Sequence, residues 1–449
     1  MTRLFGTDGI RGEANQPPMD GVTAFQVGQA ITELLKRERQ QAQVIIGRDT
    51  RISGSMLESA VAAGIASMGG DVWLAGVLST PGVAFLTLDM GAEAGIVISA
   101  SHNPYQDNGI KVFGRDGFKL PDGMETHIEK LILEGGLTGS APPAREMGQV
   151  NHVQEAPARY RQFLKGCFPE DLTMQGIKLV LDPGNGATYN VAQDLFAQLN
   201  ADVEVIHDRP DGININDHCG SQYPQDLQAR VLESGAAMGF AFDGDGDRLI
   251  AVDETGRAVT GDQILLICAK FLKDRGLLKN NLMVSSVMSN IGLTRACERL
   301  GIDRHVSKVG DRYVLSDMRR LGAVVGGEES GHIILLHSHT TSDGMITAMQ
   351  LIAAMIREGK PLSQLADLMA VYPQQLINVA VSEKPDISSV PSLMRAIRAV
   401  EAALGSRGRV LVRYSGTQNL CRVMVEGPDP EDTARYAGQL ADVVRASLC

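Results

Sequence analysis

The sequence predicts an α/β protein, with three successive mixed α/β sheet domains followed by a smaller C-terminal α+β domain. The chain has 449 residues, which is too many for one ordinary hydrophobic core. Short apolar runs alternate with helical patterns three times along the chain. This alternation predicts parallel strands joined by right-handed helical crossovers. The C-terminal part lacks it, and its strands are flanked by two long helices.

The first domain is expected to span residues 1–150. The runs QVIIGRD, DVWLAGV and AGIVISA predict strands at 43–49, 71–77 and 94–100. Residues 53–68 predict a helix with small side chains on one face. The polar stretch 138–150 contains prolines and indicates a boundary.

The same pattern restarts in a second domain at 151–255 and a third at 256–370. In the second, IKLVLDPGNGA predicts a strand entering a glycine turn, followed by a helix to about Asn200 and the strands DVEVIHD and AAMGFAFD. In the third, helices are expected around 264–272 and from Leu293, with LMVSSV and AVVGGEE as strands. The fourth domain, 371–449, has LINVAV, RVLVRY and CRVMVEG as strands and helices at 391–404 and 430–448.

Composition narrows the class of protein. The net charge of -11 argues against nucleic acid as the main partner. Six cysteines without a CxxC pair are typical of reduced thiols in a cytosol. An apolar signal segment and a stretch long enough to span a bilayer are both absent from the sequence. We therefore expect a cytoplasmic protein without a membrane partner.

The strongest local signal is the segment FDGDGDR, residues 242–248. Asp243, Asp245 and Asp247 alternate with glycines and can converge on one hard cation, Mg²⁺ or Ca²⁺. An EF-hand is the rival interpretation, but Arg248 stands where that loop requires glycine, and the flanks are strand-like. A solvated turn is the other alternative, although three converging aspartates repel one another without a cation. We expect this metal loop at the surface of a cleft.

A second signal, ISASHNP at 98–104, follows an apolar strand. Strand ends are where α/β proteins place reactive groups, and the Ser101 hydroxyl can carry a phosphoryl group. Taken alone, a Ser-Ala-Ser turn is more often structural, because serine favours turns by bonding its own backbone.

Four further loops are candidate binding sites. The segment 413–417 with Arg422 combines arginine, hydroxyls and a glycine turn, which can hold a phosphate, although an ordinary hairpin has the same composition. The N-terminal loops GTDGIRG at 6–12 and GRDTR at 47–51 are weaker candidates of the same type. The segment GGEESGH at 326–332 offers carboxylates and a hydroxyl that suit sugar hydroxyls, or is a plain turn.

Taken together and in this order, the loops SASHNP, DGDGDR, GEESGH and RYSGT resemble the four signature loops of the α-D-phosphohexomutase superfamily. The segments FGTDGIRG and KVGDRY are most similar to its phosphoglucosamine mutase branch. The resemblance covers nearly the full chain. It implies four domains around a central cleft, a Mg²⁺ ion and a phosphoserine.

The resemblance also implies residue roles. Ser101 would be the phosphoserine, next to His102, and Arg11 and Lys111 would flank the transferring phosphoryl group. Mg²⁺ would be bound by the Ser101 phosphate together with Asp243, Asp245 and Asp247. The expected contacts to the substrate are Lys308, Glu328, Ser330 and His332 for the sugar, and Arg413, Ser415, Gly416, Thr417 and Arg422 for its non-reacting phosphate.

The implied reaction is the reversible conversion of glucosamine 6-phosphate into glucosamine 1-phosphate through a 1,6-bisphosphate, which supplies UDP-N-acetylglucosamine synthesis. Glucosamine or glucose 1,6-bisphosphate would be the activator. A phosphomannomutase or phosphoglucomutase, or a non-catalytic phosphosugar-binding protein, are the alternatives. Gln418 and Asn419 depart from the Glu-Pro common in the family, and Glu329 from its glutamine. The sequence identifies neither the general base nor the oligomeric state, for which a homodimer is one alternative.

Overall fold

The computed structural model describes residues 4–6, 8–36, 42–137, 142–415 and 419–448. The chain forms two compact units, Met1–Val287 with Ile302–Asp367, and Met288–Gly301 with Leu368–Cys449. No helix in these described ranges is long and apolar enough to cross a membrane. The predicted class is confirmed: three mixed α/β sheets are followed by a small antiparallel sheet.

The first sheet has the strand order β1-β5-β4-β2-β3-β6. Strands β2, β3, β4 and β6 run parallel, whereas β5 is antiparallel to both β4 and β1. The strands are β1 (Ile10–Glu13), β2 (Gln43–Arg48), β3 (Asp71–Val77), β4 (Ala94–Ile98), β5 (Asp107–Gly114) and β6 (Val150–His152). The helices are α1 (Gly21–Lys36), α2 (Gly54–Ser67), α3 (Thr80–Asp89) and α4 (Asp122–Leu133).

The second sheet has the order β11-β10-β9-β7-β8, with β7 parallel to β8 and β9, and β10 antiparallel to β9. Its elements are α5 (Ala156–Gly166), β7 (Lys178–Asp182), α6 (Ala192–Gln198), β8 (Asp202–Val205), α7 (Gln225–Ser234), β9 (Met238–Phe242), β10 (Leu249–Asp253) and β11 (Ala258–Val259).

The third sheet has the order β13-β12-β14-β15, and its last strand is again antiparallel to its neighbour. The elements that follow β11 are α8 (Gly261–Asp274), β12 (Leu282–Ser286), α9 (Ile291–Leu300), β13 (Asp303–Ser307), α10 (Asp311–Leu321), β14 (Val325–Gly327), β15 (Ile333–Leu335), α11 (Gly344–Glu358) and α12 (Leu362–Ala366). Helix α9 belongs to the second compact unit, although its neighbours in the chain belong to the first.

The second compact unit contains a three-stranded antiparallel sheet, β16 (Gln374–Ala380), β18 (Leu420–Glu426) and β17 (Arg409–Tyr414), with helices α13 (Pro391–Leu404) and α14 (Pro430–Leu448). Both helices have the predicted bounds. Each begins at a proline, whose fixed φ suits the first helical position. The core contains Leu393, Val400, Val423, Leu440 and Val444.

Glycine allows α1 and α2 to pack closely in the first sheet's outer layer. A Cβ at Gly64 would lie 2.1 Å from the carbonyl oxygen of Phe25, and one at Gly28 would lie 2.3 Å from that of Val61. The predicted small face of α2 is therefore the face that contacts α1. The core behind this pair includes Val27, Ile31 and Ile65.

Candidate active site

The three sequence-predicted loops of the first unit occupy the same position in their sheets. The serine loop joins β4 to β5, the metal loop joins β9 to β10, and the sugar loop joins β14 to β15. In each case a strand with a parallel neighbour leads into an antiparallel strand. Turns with this geometry bring polar side chains to the carboxyl end of the parallel strands, where α/β proteins bind ligands.

Ser101 lies directly against the metal loop. Its hydroxyl donates a hydrogen bond to Asp243 Oδ2 at 2.6 Å, although the two residues are 142 positions apart in the chain. Glycine makes this approach possible, because a Cβ at Gly244 would lie 2.6 Å from the Ser101 carbonyl oxygen. Ser101 has φ 55°, a left-handed conformation that is uncommon for a residue with a side chain. Strained backbone of this kind clusters at functional sites.

The metal-loop carboxylates are buried, so their expected position at the surface of a cleft is wrong. Asp243 and Asp245 are 0% exposed and Asp247 is 3% exposed. The reason is that Thr80, at the start of α3, covers the loop: its hydroxyl donates to Asp245 Oδ2, and its backbone N–H donates to the Asp245 carbonyl. Burial, followed by the charges of Asp247 and Asp245, holds the pKa of Asp243 well above its usual range.

The three carboxylates fit a divalent cation. One oxygen from each lies within 4.8 Å of the others, and Oδ1 of Asp245 and Oδ1 of Asp247 are buried and accept no hydrogen bond from the described residues. A buried oxygen without a donor costs free energy that a bound cation recovers. Oxygen-only ligands suit Mg²⁺ or Ca²⁺ rather than a softer metal.

Lys111 on β5 supplies a buried positive charge to this loop. Its Nζ lies 2.7 Å from Asp245 Oδ2, 3.4 Å from Asp247 Oδ2 and 3.2 Å from Asp8 Oδ2. Although burial opposes it, the charges of Asp245, Asp8 and Asp247 raise the pKa of Lys111 well above its usual value. The lysine therefore remains protonated in the site.

Arg11 on β1 lies beside the serine loop. Its Nη1 donates to the Ala100 carbonyl at 3.4 Å, and its Nη2 pairs with Asp8 at 2.5 Å. Burial opposes ionisation of Asp8, but Lys111, Lys119 and Arg11 together lower its pKa well below the usual range. Asp8 was not predicted as a site residue, although it stands in the same GTDGIRG segment as Arg11.

His102 follows Ser101, and its Nδ1 lies 3.3 Å from the Ser101 hydroxyl. Burial, followed by the positive charges of Arg248 and Arg11, lowers the pKa of His102 to about 4. The imidazole is therefore neutral near pH 7. It can exchange a hydrogen bond with Ser101 but does not add a positive charge.

A buried network of hydrogen bonds and one ion pair supports the serine loop, and the sequence did not predict it. Arg51 pairs with Asp49 and donates to the carbonyls of Ser101, at 3.2 Å, and Asn103. Ser99 donates to Asp49 and accepts the N–H of Ser101 at 2.9 Å. The segment GRDTR therefore supports the serine loop, and the interpretation of Arg51 as an anion-binding residue is wrong, because its guanidinium is buried in these contacts.

The predicted residues of the sugar loop differ in solvent exposure: some are exposed or half-buried, and one is buried. Ser330 is exposed and Glu328 is half-buried, and Glu328 Oε1 accepts the N–H of Gly310 at 3.0 Å. That contact places the loop of Lys308 next to Glu328; Lys308 is exposed, with Nζ 5.8 Å from the centre of the Tyr313 ring.

His332 is the buried residue. Its Nε2 lies 2.7 Å from the Ser342 hydroxyl and 3.6 Å from Asp247 Oδ2. Burial opposes protonation, but Asp247 and Asp311 raise the pKa of His332. A further ion pair that was not predicted, Lys119 with Asp311, lies beside His332. It connects the segment after β5 to the start of α10.

The second unit contains the residues predicted to bind the non-reacting phosphate, and two of them are arginines on neighbouring strands. Arg413 on β17 and Arg422 on β18 are directly opposite in the antiparallel register. Burial and the neighbouring charge of Arg422 lower the pKa of Arg413. Neither guanidinium has a carboxylate partner among the described residues. Ser415 is buried, and its carbonyl accepts the Lys384 ammonium at 3.0 Å. Gly416 and Thr417 lie outside the described residues.

This fold and site define a phosphohexomutase-type protein. Family models of phosphoglucomutase/phosphomannomutase match nearly the whole chain: α/β/α domain I at residues 2–138, domain II at 158–256, domain III at 260–372 and the C-terminal domain at 376–443. The chain belongs to the phosphoglucomutase/phosphomannomutase family.

Among curated relatives, the chain is 62% identical over 448 residues to the phosphoglucosamine mutase of Syntrophobacter fumaroxidans, with 100% of both chains covered. The predicted resemblance to that branch is thereby confirmed. The fold is similar to that of a Burkholderia thailandensis protein of the family (TM-score 0.82, 24% identity, 99% and 97% coverage). It is also similar to the Aspergillus fumigatus N-acetylphosphoglucosamine mutase, whose structure holds GlcNAc-6P and magnesium (TM-score 0.70, 16% identity, 99% and 96% coverage).

Proposed function

We propose that the chain interconverts glucosamine 6-phosphate and glucosamine 1-phosphate, with Ser101 carrying the phosphoryl group. The observation that supports this most directly is the contact of the Ser101 hydroxyl with Asp243, inside a buried carboxylate triad that Lys111 partly neutralises. This arrangement joins a nucleophilic oxygen, a cation site and a fixed positive charge. Full-length similarity to curated phosphoglucosamine mutases supports the same substrate.

In the proposed reaction, phosphorylated Ser101 gives its phosphoryl group to the free hydroxyl of the sugar phosphate. The bond from Ser101 Oγ to phosphorus breaks as the bond from the sugar oxygen to phosphorus forms, and the hydroxyl proton balances the charge released on Oγ. The resulting 1,6-bisphosphate turns over, and its other phosphate returns to Ser101. The work of the protein is therefore mainly positioning and charge stabilisation.

The chain's own charges suit this transfer. Lys111 and Arg11 both contact Asp8 Oδ2, beside the metal loop and the serine loop, and would offset negative charge on the phosphoryl oxygens. Asp243, Asp245 and Asp247 would hold Mg²⁺, which when bound stabilises the same charge. Neutral His102 would keep a hydrogen bond to the Ser101 oxygen. Arg413 and Arg422 would bind the phosphate that does not react.

The sugar preference follows from the sugar loop. Glu328 would accept a hydrogen bond from the protonated 2-amino group, which exceeds a neutral hydrogen bond by about 1–1.5 kcal/mol, or about tenfold in selectivity. If Glu328 contacts only hydroxyls common to all hexoses, this preference disappears and the substrate is glucose or mannose phosphate. A cytoplasmic location is proposed because no disulfide joins the five described cysteines.

The test compares kcat/KM for glucosamine, glucose and mannose 6-phosphates under identical amounts of glucose 1,6-bisphosphate as activator. We expect glucosamine 6-phosphate to be preferred, EDTA to abolish turnover and Mg²⁺ to restore it. A preference for another sugar overturns the amino-sugar assignment but keeps the mutase. Absence of turnover on all three, with intact Ser101 phosphorylation by the activator, overturns the mutase proposal.

A further inference from the structure

A second cluster of metal-ligating side chains lies on the second sheet, apart from the residues of the proposed reaction. Asp182 ends β7, His207 follows β8, and Cys219 precedes α7. One carboxylate oxygen, one imidazole nitrogen and the thiol sulfur all lie within 4.8 Å of one another. Asp182 and Cys219 are fully buried, whereas the His207 side chain is 26% exposed. We infer that this cluster binds one zinc ion.

The orientation of His207 is that of a metal ligand. Its Nε2 lies 3.3 Å from Asp226 Oδ2, on the outer side of the ring. Its Nδ1 lies 3.2 Å from Asp182 Oδ2 but is buried and makes no hydrogen bond among the described residues. Metal-bound histidines commonly donate their other ring N–H to a carboxylate, which fixes the tautomer and leaves the first nitrogen free to ligate. Asp226 is placed to accept that N–H.

Backbone groups hold the Asp182 carboxylate in position. The N–H of Gly184 donates to Oδ1 and the N–H of Gly220 donates to Oδ2, both at 2.8 Å. A carboxylate has further lone pairs, so both oxygens keep the capacity to ligate a cation. Gly220 has φ 69°, and a Cβ there would lie 2.6 Å from the Phe242 carbonyl oxygen. The ligand is therefore oriented by a turn that requires glycine.

His207 itself carries backbone strain. It has φ 49°, in the left-handed region that residues with a side chain adopt rarely. Such strain persists where surrounding structure enforces it, and it clusters at functional sites. The imidazole of this residue lies beside Asp182 and Cys219.

The donor set selects the metal. Thiolate, imidazole and carboxylate together are typical of zinc, whereas Mg²⁺ and Ca²⁺ prefer oxygen alone. Three protein ligands leave the fourth tetrahedral position to a water molecule. Binding replaces the thiol proton of Cys219 with zinc, and that proton is released to solvent. In the competing arrangement without metal, an imidazolium bridges Asp182 and Asp226, and Cys219 keeps a weak contact with Asn185 at 3.8 Å.

A zinc ion here would act on the serine loop through the chain. Asn216 stands three residues before Cys219, and its amide donates to the carbonyls of Ser101, at 2.9 Å, and Asn103, at 3.1 Å. Ligation of Cys219 would fix the segment that carries this amide. The ion is thus expected to position Ser101 indirectly, without contact to the reacting atoms.

The test uses the full-length protein and measures metal directly. Wild-type protein, stripped by a chelator and dialysed, should take up one Zn²⁺ per chain with excess Mg²⁺ present, and one Co²⁺ should give a thiolate-to-cobalt charge-transfer band. Cys219→Ser should lose the band, and the matched buried thiol variant Cys268→Ser should keep it. Asp226→Asn should weaken zinc binding about 10–100-fold, whereas the exposed neighbour Asp217→Asn should not.

The proposal fails if wild-type protein takes up no zinc and shows no charge-transfer band. It also fails if Cys219→Ser retains the band at wild-type intensity. Should Cys219→Ser not fold, the wild-type cobalt spectrum and the Asp226→Asn affinity decide between the two outcomes. No substrate or activity enters these measurements, so the result is independent of the proposed mutase reaction.

Discussion

The Lys111 ammonium lies 2.7 Å from Asp245 Oδ2, and both side chains are almost completely shielded from solvent. The pair joins β5 of the first sheet to the metal loop of the second. Burying a charge is costly unless a partner compensates it. The residues proposed to face the phosphoryl group therefore also connect two sheets, and substitutions here change both stability and activity.

Lys111→Met should lower the free energy of unfolding by about 3–5 kcal/mol, because it leaves buried carboxylates without their cation. Mg²⁺ should restore more stability to this variant than it adds to the wild type, since a bound cation replaces part of the lost charge. Urea unfolding with and without Mg²⁺ measures both effects. The exposed Lys130→Met on α4 is the control, and an equal midpoint for the two variants would contradict the prediction.

Thr80→Val should weaken Mg²⁺ binding about tenfold while keeping the side-chain volume. The change removes the hydroxyl that donates to Asp245 Oδ2, so this carboxylate loses its orientation. Thr80→Ser keeps the donor and should keep the affinity. Isothermal titration with Mg²⁺ separates the two variants; equal affinities would show that Thr80 only fills space.

Ser101→Ala should lower turnover by more than about 1000-fold, because it removes the nucleophilic oxygen that lies against Asp243. Binding of glucosamine 6-phosphate, measured by calorimetry, should persist. Phosphopeptide mapping of the wild type should find the modification at Ser101. The exposed Ser59→Ala on α2 serves as the control. Wild-type turnover in Ser101→Ala would exclude the covalent mechanism.

Arg413→Ala should raise KM about tenfold or more, since losing one charged hydrogen-bonding partner costs about 1.5–3 kcal/mol. The same change should leave stability unchanged or raise it, because it relieves repulsion between arginines that face each other across β17 and β18. Arg409→Ala, which breaks a pair with the buried Glu426, should instead lower stability. Loss of stability in Arg413→Ala with unchanged KM would remove the arginine pair from the phosphate site.

The free energy of unfolding should fall as pH rises from about 4 to about 6, because the buried Asp343 carboxyl resists ionisation in this range. Burial raises the pKa of this carboxyl to about 6, so the folded state binds the proton more tightly than the unfolded state. The stabilisation is therefore complete below the unfolded pKa and is lost as pH rises through about 6. The free energy of unfolding of Asp343→Asn should rise relative to that of the wild type by up to about 3 kcal/mol as pH increases through this range. Urea midpoints at several pH values test this, with exposed Asp217→Asn as the control.

Local patterns predicted most of the fold. Apolar runs located most of the parallel strands within one or two residues, and prolines located the starts of α13 and α14. The end of β8 was placed three residues too late, and the short parallel strands β6 and β13 were not predicted. Strand β5, which carries Lys111, was not predicted, because glycine and polar residues interrupt its apolar pattern. The grouping of α9 with the C-terminal unit was also missed, since contacts between distant segments decide it and periodicity does not report them.

Motifs predicted the main candidate site residues, but not the residues that contact and orient them. Ser101 and the three aspartates stand in short, recognisable loops, whereas Thr80 stands in an ordinary Ser-Thr-Pro helix start. A usable signal existed, because Thr80 follows β3 just as Ser101 follows β4, at the carboxyl end of parallel strands. The burial of the metal loop could not be read from its own composition, because residues of the first and third sheets cover it.

The shared position of the serine, metal and sugar loops has a consequence for how such a protein can diversify. Each loop lies between a parallel strand and an antiparallel one, and under the proposed function each would contribute a different part of the chemistry. Duplication of one ancestral unit would produce three loops at the same position in their sheets. Each loop could then specialise through its own turn residues, one acquiring a nucleophile, another a set of cation ligands and the third hydrogen-bonding groups for sugar hydroxyls, while the pairing of the two strands that flank the loop is kept.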